Sequence, residues 1–341
     1  MSQDQEEFMR NTKLRFFLPV VLLILLFPIL TEAGMNTGIL RATLKNGLKV
    51  VIVRNTLAPV VTMQVNYLVG SNEAPNGFPG MAHAQEHMMF RGSPELSAAQ
   101  LSNIMALMGG DFNALTSQTV TQFIFTVTKD DLDVALNIEA VRMRDVLDTE
   151  ELWEQERGAI EQEVAQDLSS PEYVLSLRLL AELFSDTPYA HDALGTRPSF
   201  QKTTGVMLKT FYDQWYGPNN AILVVVGDVD PPKTLSKVRE LFGPIPSRPV
   251  PSRPVVQLMP LRPATIAFET DLPYGLAIVA YRLPGFDSPD FAAGQILADV
   301  LESRRGNLYA LVTEGEGTSH RIRRRSSPKS IIWVCKCCIS S

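Results

Sequence analysis

Residues 81–90 read MAHAQEHMMF, and two of the four histidines in this 341-residue chain, His83 and His87, stand here four apart with Glu86 between them. A spacing of four puts both imidazoles on one face of a helix, so that both can reach one zinc ion at about 2.0–2.1 Å. Glu86 lies three residues from the first histidine and next to the second. Its carboxylate therefore leans toward the same point and can take a proton from a metal-bound water. Met81, Ala82, Met88, Met89 and Phe90 make the helix apolar and buried. Two imidazoles and a carboxylate left unpaired in such a place would be costly, which argues against a pair of incidental surface histidines.

A third ligand has to come from elsewhere. Residues 148–168 open with a capping signal at Asp148, carry Glu150 and Glu151 in the first turn, and contain no proline and one glycine, Gly158. At about 100° per residue, Leu152, Ile160 and Val164 mark the buried face of this helix, and Glu150, Glu151, Glu154 and Glu161 the solvated one. Glu156 and Glu163, two turns apart, fall on the buried side. A carboxylate among apolar residues needs a partner: either a metal held by the neighbouring helix, or an arginine such as Arg142 or Arg144. The arginine suits Glu156 better, which leaves Glu163 as the expected third ligand.

The order His-x-x-Glu-His reverses the common zincin motif. Residues 70–93, reading GSNEAPNGFPGMAHAQEHMMFRGS, resemble the active-site region of the pitrilysin and insulinase family, which includes the mitochondrial processing peptidases. GGDFNALTS at 109–117, ERGAIEQE at 156–163 and WYGPNNAILVVVGDVDP at 215–231 continue the resemblance in order, across residues 37 to about 245. The resemblance implies that His83, His87 and Glu163 bind one zinc ion, that Glu86 is the general base, and that Glu156 is a further acid beside the metal. It also places Asn113 and Ala114 beside a cleft where an extended peptide adds as a strand to a sheet edge. From the residues alone, Asn113 reads as a turn residue after Gly109 and Gly110. The implied activity is zinc-dependent endoproteolysis of peptides or unfolded polypeptides. The rival reading is a zinc-binding but inactive interaction subunit, which needs a metal-free homologous partner or a second copy of itself.

Composition bounds the rest. The chain is 45% hydrophobic with a formal net charge of −6, which argues against nucleic acid as a partner. Residues 16–30 are an apolar run behind Arg10, Lys13 and Arg15, followed by Thr31-Glu32-Ala33. Fifteen helical residues span only about 22 Å, less than a bilayer core, so residues 1–33 read as a signal peptide, with membrane attachment only if it stays uncleaved. Asp4, Glu6 and Glu7 suit such a leader poorly, which points to a start at Met9. The expected location is periplasmic. Cys335, Cys337 and Cys338 all sit in the last seven residues and read as unpaired thiols.

The expected fold is α+β: a two-layer sandwich, its mainly antiparallel mixed sheet carrying helices on one face, followed by a partial second copy of the same domain. Strands are expected at 39–44 and 48–53, a hairpin around Asn46-Gly47 read as a two-residue turn, and at 61–69 and 119–127, with a fully buried strand at 221–226. Helices are expected over the histidine segment and at 98–108, 130–146, 148–168, 173–184 and 206–215. The catalytic domain runs from 34 to 245. Five prolines between 244 and 254 suggest a stiff linker, set at 246–260. Beyond it LAIVAYRLPG at 276–285, followed by a helical stretch at 292–301, repeats the pattern of 63–70 without the histidines. Residues 261–319 therefore read as a second, metal-free copy, truncated, and 320–341 as a disordered or frame-shifted tail.

Overall fold

The computed structural model describes residues 38–253, 255–267, 269–272, 279–285, 288–303, 305 and 334–339. The leader expected at 1–33 lies outside the described residues, as does the basic run that begins at Arg321. Six strands form one sheet: β1 (Ile39–Thr43), β2 (Lys49–Arg54), β3 (Val60–Tyr67), β4 (Asp111–Thr116), β5 (Thr121–Thr128) and β6 (Ala221–Gly227). Their spatial order is β1-β2-β6-β3-β5-β4, and every neighbouring pair is antiparallel except β2 with β6. The helices are α1 (Met81–Met88), α2 (Ala98–Met108), α3 (Leu132–Arg144), α4 (Glu150–Leu168), α5 (Pro171–Leu183), α6 (Arg197–Phe200), α7 (Gly205–Trp215) and α8 (Pro231–Phe242).

A period of two builds the sheet. Val61, Met63, Val65 and Tyr67 of β3 point into the core together with Phe123, Phe125 and Val127 of β5 and Leu223 and Val225 of β6, all of them buried. Trp153, Ile160 and Val164 of α4 and Leu208, Phe211, Tyr212 and Trp215 of α7 close on them from the helix side. The opposite face is polar at its centre, where Gln64 and Gln122 each donate to Asn66 Oδ1 at 2.7 Å. The α+β sandwich with helices on one face is thus the observed architecture. β6 corrects the expectation of a fully buried strand, because Ile222, Val224 and Val226 face that second side and are only half-buried.

The first hairpin also differs in detail. Gly47 N–H donates to Leu44 O at 3.0 Å and Leu44 N–H to Leu48 O at 2.9 Å, so the loop has three residues, not two, with Gly47 left-handed at φ +92°. Asn46 turns away to donate to Phe242 O and Ile245 O, both at 2.8 Å, which ties the hairpin to the end of α8. The proline-rich stretch that follows lies along the domain surface. Arg248 stacks 4.4 Å over the Tyr212 ring, and Arg253 stacks 4.9 Å over Trp215 while pairing with Glu73 at 2.7 Å. These contacts fasten the segment where the sequence suggested a spacer.

Further on, β7 (Val279–Pro284) is followed by α9 (Phe291–Glu302), the strand and helix expected of the second copy. Part of the tail read as disordered departs from that expectation. β8 (Val334–Ile339) runs parallel to β7, with Val279 opposite Val334 and Pro284 opposite Ile339. Its sequence, VCKCCI, is short, apolar but for Lys336 and β-branched at both ends, which suits strand pairing.

Candidate metal centre

The centre is assembled by three elements. α1 starts at Gly80, whose φ of +88° a side chain would strain. Gly80 also lies against Gly195, where a Cβ would meet the other glycine's Cα at 2.6 Å. That close approach brings the loop before α6 onto the first turn of α1, and Leu194 O accepts a hydrogen bond from His83 Nδ1 at 3.1 Å. His87 Nδ1 donates to Glu156 Oε1 at 2.8 Å. With each Nδ1 carrying a proton toward an acceptor, each Nε2 is left with a lone pair.

Both lone pairs face Glu163. His83 Nε2 lies 3.5 Å from Glu163 Oε1 and His87 Nε2 lies 3.3 Å from Glu163 Oε2. One donor atom from each of the three residues falls within 4.8 Å of the other two. Tetrahedral ligands placed at 2.0–2.1 Å from a zinc ion lie about 3.4 Å apart, so two imidazoles and a carboxylate at these separations fit that ion. The carbonyl of Leu194 and the carboxylate of Glu156 supply the outer hydrogen bonds that such ligands require.

Glu156 is buried, with its carboxylate shared between His87 and Arg91. Neither arginine expected as its partner is free to serve. Arg142 pairs with Glu139 and stacks on Phe90 and Phe123, and Arg144 pairs with Glu95. Glu161, expected on the solvated side, is partly covered and pairs with Arg197 at 3.1 Å. The cap of α4 is Thr149, which accepts from Leu152 N–H; Asp148 is buried one residue earlier.

Glu86 stands beside the two histidines, 8% exposed. Burial pushes its carboxyl above the usual range, against the hydrogen bond from Thr116 and the attraction of His83 and His87, while Glu163 pushes it further up. Thr116 Oγ1 donates to Glu86 Oε2 at 2.5 Å and so fixes one oxygen of the carboxylate. For His87, burial works downward, but the bond to Glu156 and the neighbouring carboxylates raise its pKa above the ordinary imidazole value.

A cleft of about 440 Å³ opens at this centre, lined by Glu86, His87, Phe112, Asn113 and Ala114 among others. Asn113 and Ala114 sit in mid-strand in β4, so Asn113 is not the turn residue that the preceding glycines suggested. Among the described residues β4 pairs with β5 alone and forms an edge of the sheet. The structure thus brings together His83, Glu86, His87, Glu156 and Glu163, and sets Asn113 and Ala114 along the same cleft. The sequence reading missed Thr116, Arg91 and the Leu194 carbonyl. The first two lay within the quoted stretches 109–117 and 70–93, but nothing in the order of residues marked them.

The profile of the insulinase family (peptidase family M16) matches residues 49–197, and that of the peptidase M16 inactive domain matches residues 204–331. An uncharacterised zinc protease of Mycobacterium leprae is 30% identical over 215 residues, which are 62% of this chain and 48% of that protein. Zinc protease PqqE of Helicobacter pylori is 32% identical over 202 residues, 59% of this chain and 46% of that protein. The chain spans about half the length of these curated relatives. The crystal structure of a protease from Helicobacter pylori superposes with a TM-score of 0.69 at 26% identity, covering 81% of this chain and 68% of that one.

Proposed function

The chain belongs to the insulinase family, peptidase family M16, and from that premise we propose that it is a zinc-dependent endopeptidase. The observation that carries this reading is the convergence of His83 Nε2, His87 Nε2 and the Glu163 carboxylate, with Glu86 held beside them. Bound there, zinc would lower the pKa of a coordinated water toward about 7 and polarise a peptide carbonyl. The chain's own residues do the rest. Leu194 O and Glu156 hold the imidazoles with Nε2 forward, and Arg91 neutralises Glu156. Glu86, its Oε2 held by Thr116, takes the proton of the attacking water and passes it to the leaving amine nitrogen. The free edge of β4 at Asn113 and Ala114 lets an extended peptide add as a further strand, so backbone pairing rather than a deep side-chain pocket would hold the substrate. One zinc per chain and export to the periplasm complete the reading.

One observation favours the interaction-subunit alternative. Ile296, Leu297 and Val300 of α9 are 64%, 52% and 58% exposed, an apolar face that a partner would cover. The test is cleavage of a quenched fluorescent peptide library by the purified chain, with and without chelator, beside a Glu86→Gln variant. Chelator-sensitive turnover that Glu86→Gln lowers by about 10²–10⁴-fold, with zinc still bound, is the expected result. Undiminished cleavage by Glu86→Gln would refute the assignment of the base, and bound zinc without turnover in the parent chain would favour the subunit.

A further inference from the structure

Gln85, between the two histidines, faces away from the metal centre. It is fully buried, and its Nε2 donates to Asp148 Oδ2 at 2.9 Å. The remaining oxygen of each group, Gln85 Oε1 and Asp148 Oδ1, is buried and has no hydrogen-bond partner among the described residues. Two orphaned acceptors on two groups already joined by one bond is an expensive arrangement for a carboxylate and an amide. It ceases to be one if Asp148 carries a proton, because a carboxylic acid and an amide each offer one donor and one acceptor along one edge.

The backbone singles out the same residue. Asp148 has φ +36°, a conformation that side-chain-bearing residues adopt at a cost and that marks positions held for a purpose. Its carbonyl is pressed against the start of α7, where a Cβ on Gly205 would approach it at 2.7 Å. Among the described residues, no free cation is paired with Asp148. Lys209 is a cation whose charge favours ionisation there, and it is already engaged by Asp145 at 3.2 Å and Asp213 at 2.5 Å, both of which oppose ionisation of Asp148. Tyr212 and Tyr216 face the site from the core side with their own pKa values raised by burial. On the flanking turn Glu150 accepts from Gly205 N–H, and on α1 His83, Glu86 and His87 look the other way toward Glu163 and Thr116.

We propose that Asp148 is a neutral carboxylic acid whose proton completes a two-hydrogen-bond pair with Gln85, and that this pair clamps the histidine helix α1 to the start of the glutamate helix α4. Burial moves the Asp148 carboxyl from 3.8 up to about 7, in keeping with that state. Asp148 is thus a positioning residue: it sets where His83 and His87 stand relative to Glu163 without touching metal or substrate. The protonation state stands or falls independently of the catalytic reading, since it needs neither zinc nor turnover.

The sign of the pH effect follows from linkage. An acid whose folded pKa is raised contributes its stabilisation fully below the unfolded value of 3.8 and loses it as pH rises to about 7. In Asp148→Asn the amide offers Gln85 the same donor and acceptor without titrating. Thermal unfolding of the full chain in chelator, from pH 5 to pH 8, should show the parent losing about 5 °C or more relative to Asp148→Asn across that window. A difference between the two that stays constant with pH would overturn the proposal, because it would place an ionised Asp148 in the folded protein throughout. Should Asp148→Asn fail to fold, infrared spectroscopy of the parent at pH 6 decides. A protonated-carboxyl band that shifts in Gln85→Met and vanishes by pH 9 is expected; no such Gln85-sensitive band would overturn the proposal equally.

Discussion

β3 leads into α1, and β7 leads into α9: two regions of the molecule repeat the order of strand and helix and differ in what the helix does. α1 buries seven of its eight residues, His83, Gln85 and Glu86 among them. α9 carries no histidine, buries Ala298, and leaves Ile296, Leu297 and Val300 open to solvent. Polar and titratable groups can be kept inside α1 because each meets a partner fixed by another element: Leu194 O for His83, Glu156 for His87, Thr116 for Glu86 and Asp148 for Gln85. The chemistry of the first region therefore depends on its neighbours as much as on its motif. The second region has the same local order with a more exposed helix and without the histidine motif.

The sharpest way to break this contrast is to remove one ligand. His87→Ala should abolish zinc binding, measured as metal content after dialysis. In the parent, zinc at about 1,000 times its dissociation constant adds roughly 4 kcal/mol of stability, or about 8–16 °C in Tm, and chelation should remove it. In His87→Ala the chelator should leave Tm unchanged. A variant that still holds one zinc per chain would show that the three converging donors are not the site.

A smaller effect tests the support rather than the ligand. Thr116→Val removes the hydroxyl that fixes Glu86 Oε2 and leaves the strand shape intact. Turnover should fall about tenfold, the equivalent of one hydrogen bond to a charged group, with zinc content unchanged. Thr116→Ser should restore it. Equal loss in Val and Ser would point to packing of the edge strand instead of the bond.

These partners explain what could be read from the sequence. His83, Glu86 and His87 were legible because helical periodicity fixes their relation within one turn, and Glu163 because two turns of α4 separate it from Glu156 on a shared face. Thr116 is 30 residues from Glu86 and Leu194 is 111 from His83, so only the assembled fold relates them. Arg142 and Arg144 were reasonable partners for Glu156 by distance along the chain. Glu139, one turn away, and Glu95 claimed them first, which left Arg91. Asp148 has the composition of a cap, but Thr149 makes the capping bond, because the burial of Asp148 turns its side chain toward Gln85. Alternation placed five of the six strands of the sheet and missed β4, whose residues after Gly109 and Gly110 read as a turn; nor could it say that the second face of β6 would stay partly open, since that depends on which layer covers it.

The weakest perturbation falls on the region without chemistry. Ile296 is 64% exposed on α9, so Ile296→Asp removes little buried surface and should change zinc content not at all and Tm by less than about 1 kcal/mol equivalent. If α9 is bare in the working protein, peptide cleavage should be unaffected as well. If its apolar face is covered by a partner or a second copy, a charge placed in the middle of it should weaken that association, visible as a shift toward monomer in sedimentation. Any loss of turnover would then be recovered at higher protein concentration. A large drop in Tm with the protein monomeric throughout would contradict both, and would mean that α9 is part of the same cooperative core as α1, erasing the contrast between a buried helix and an exposed one.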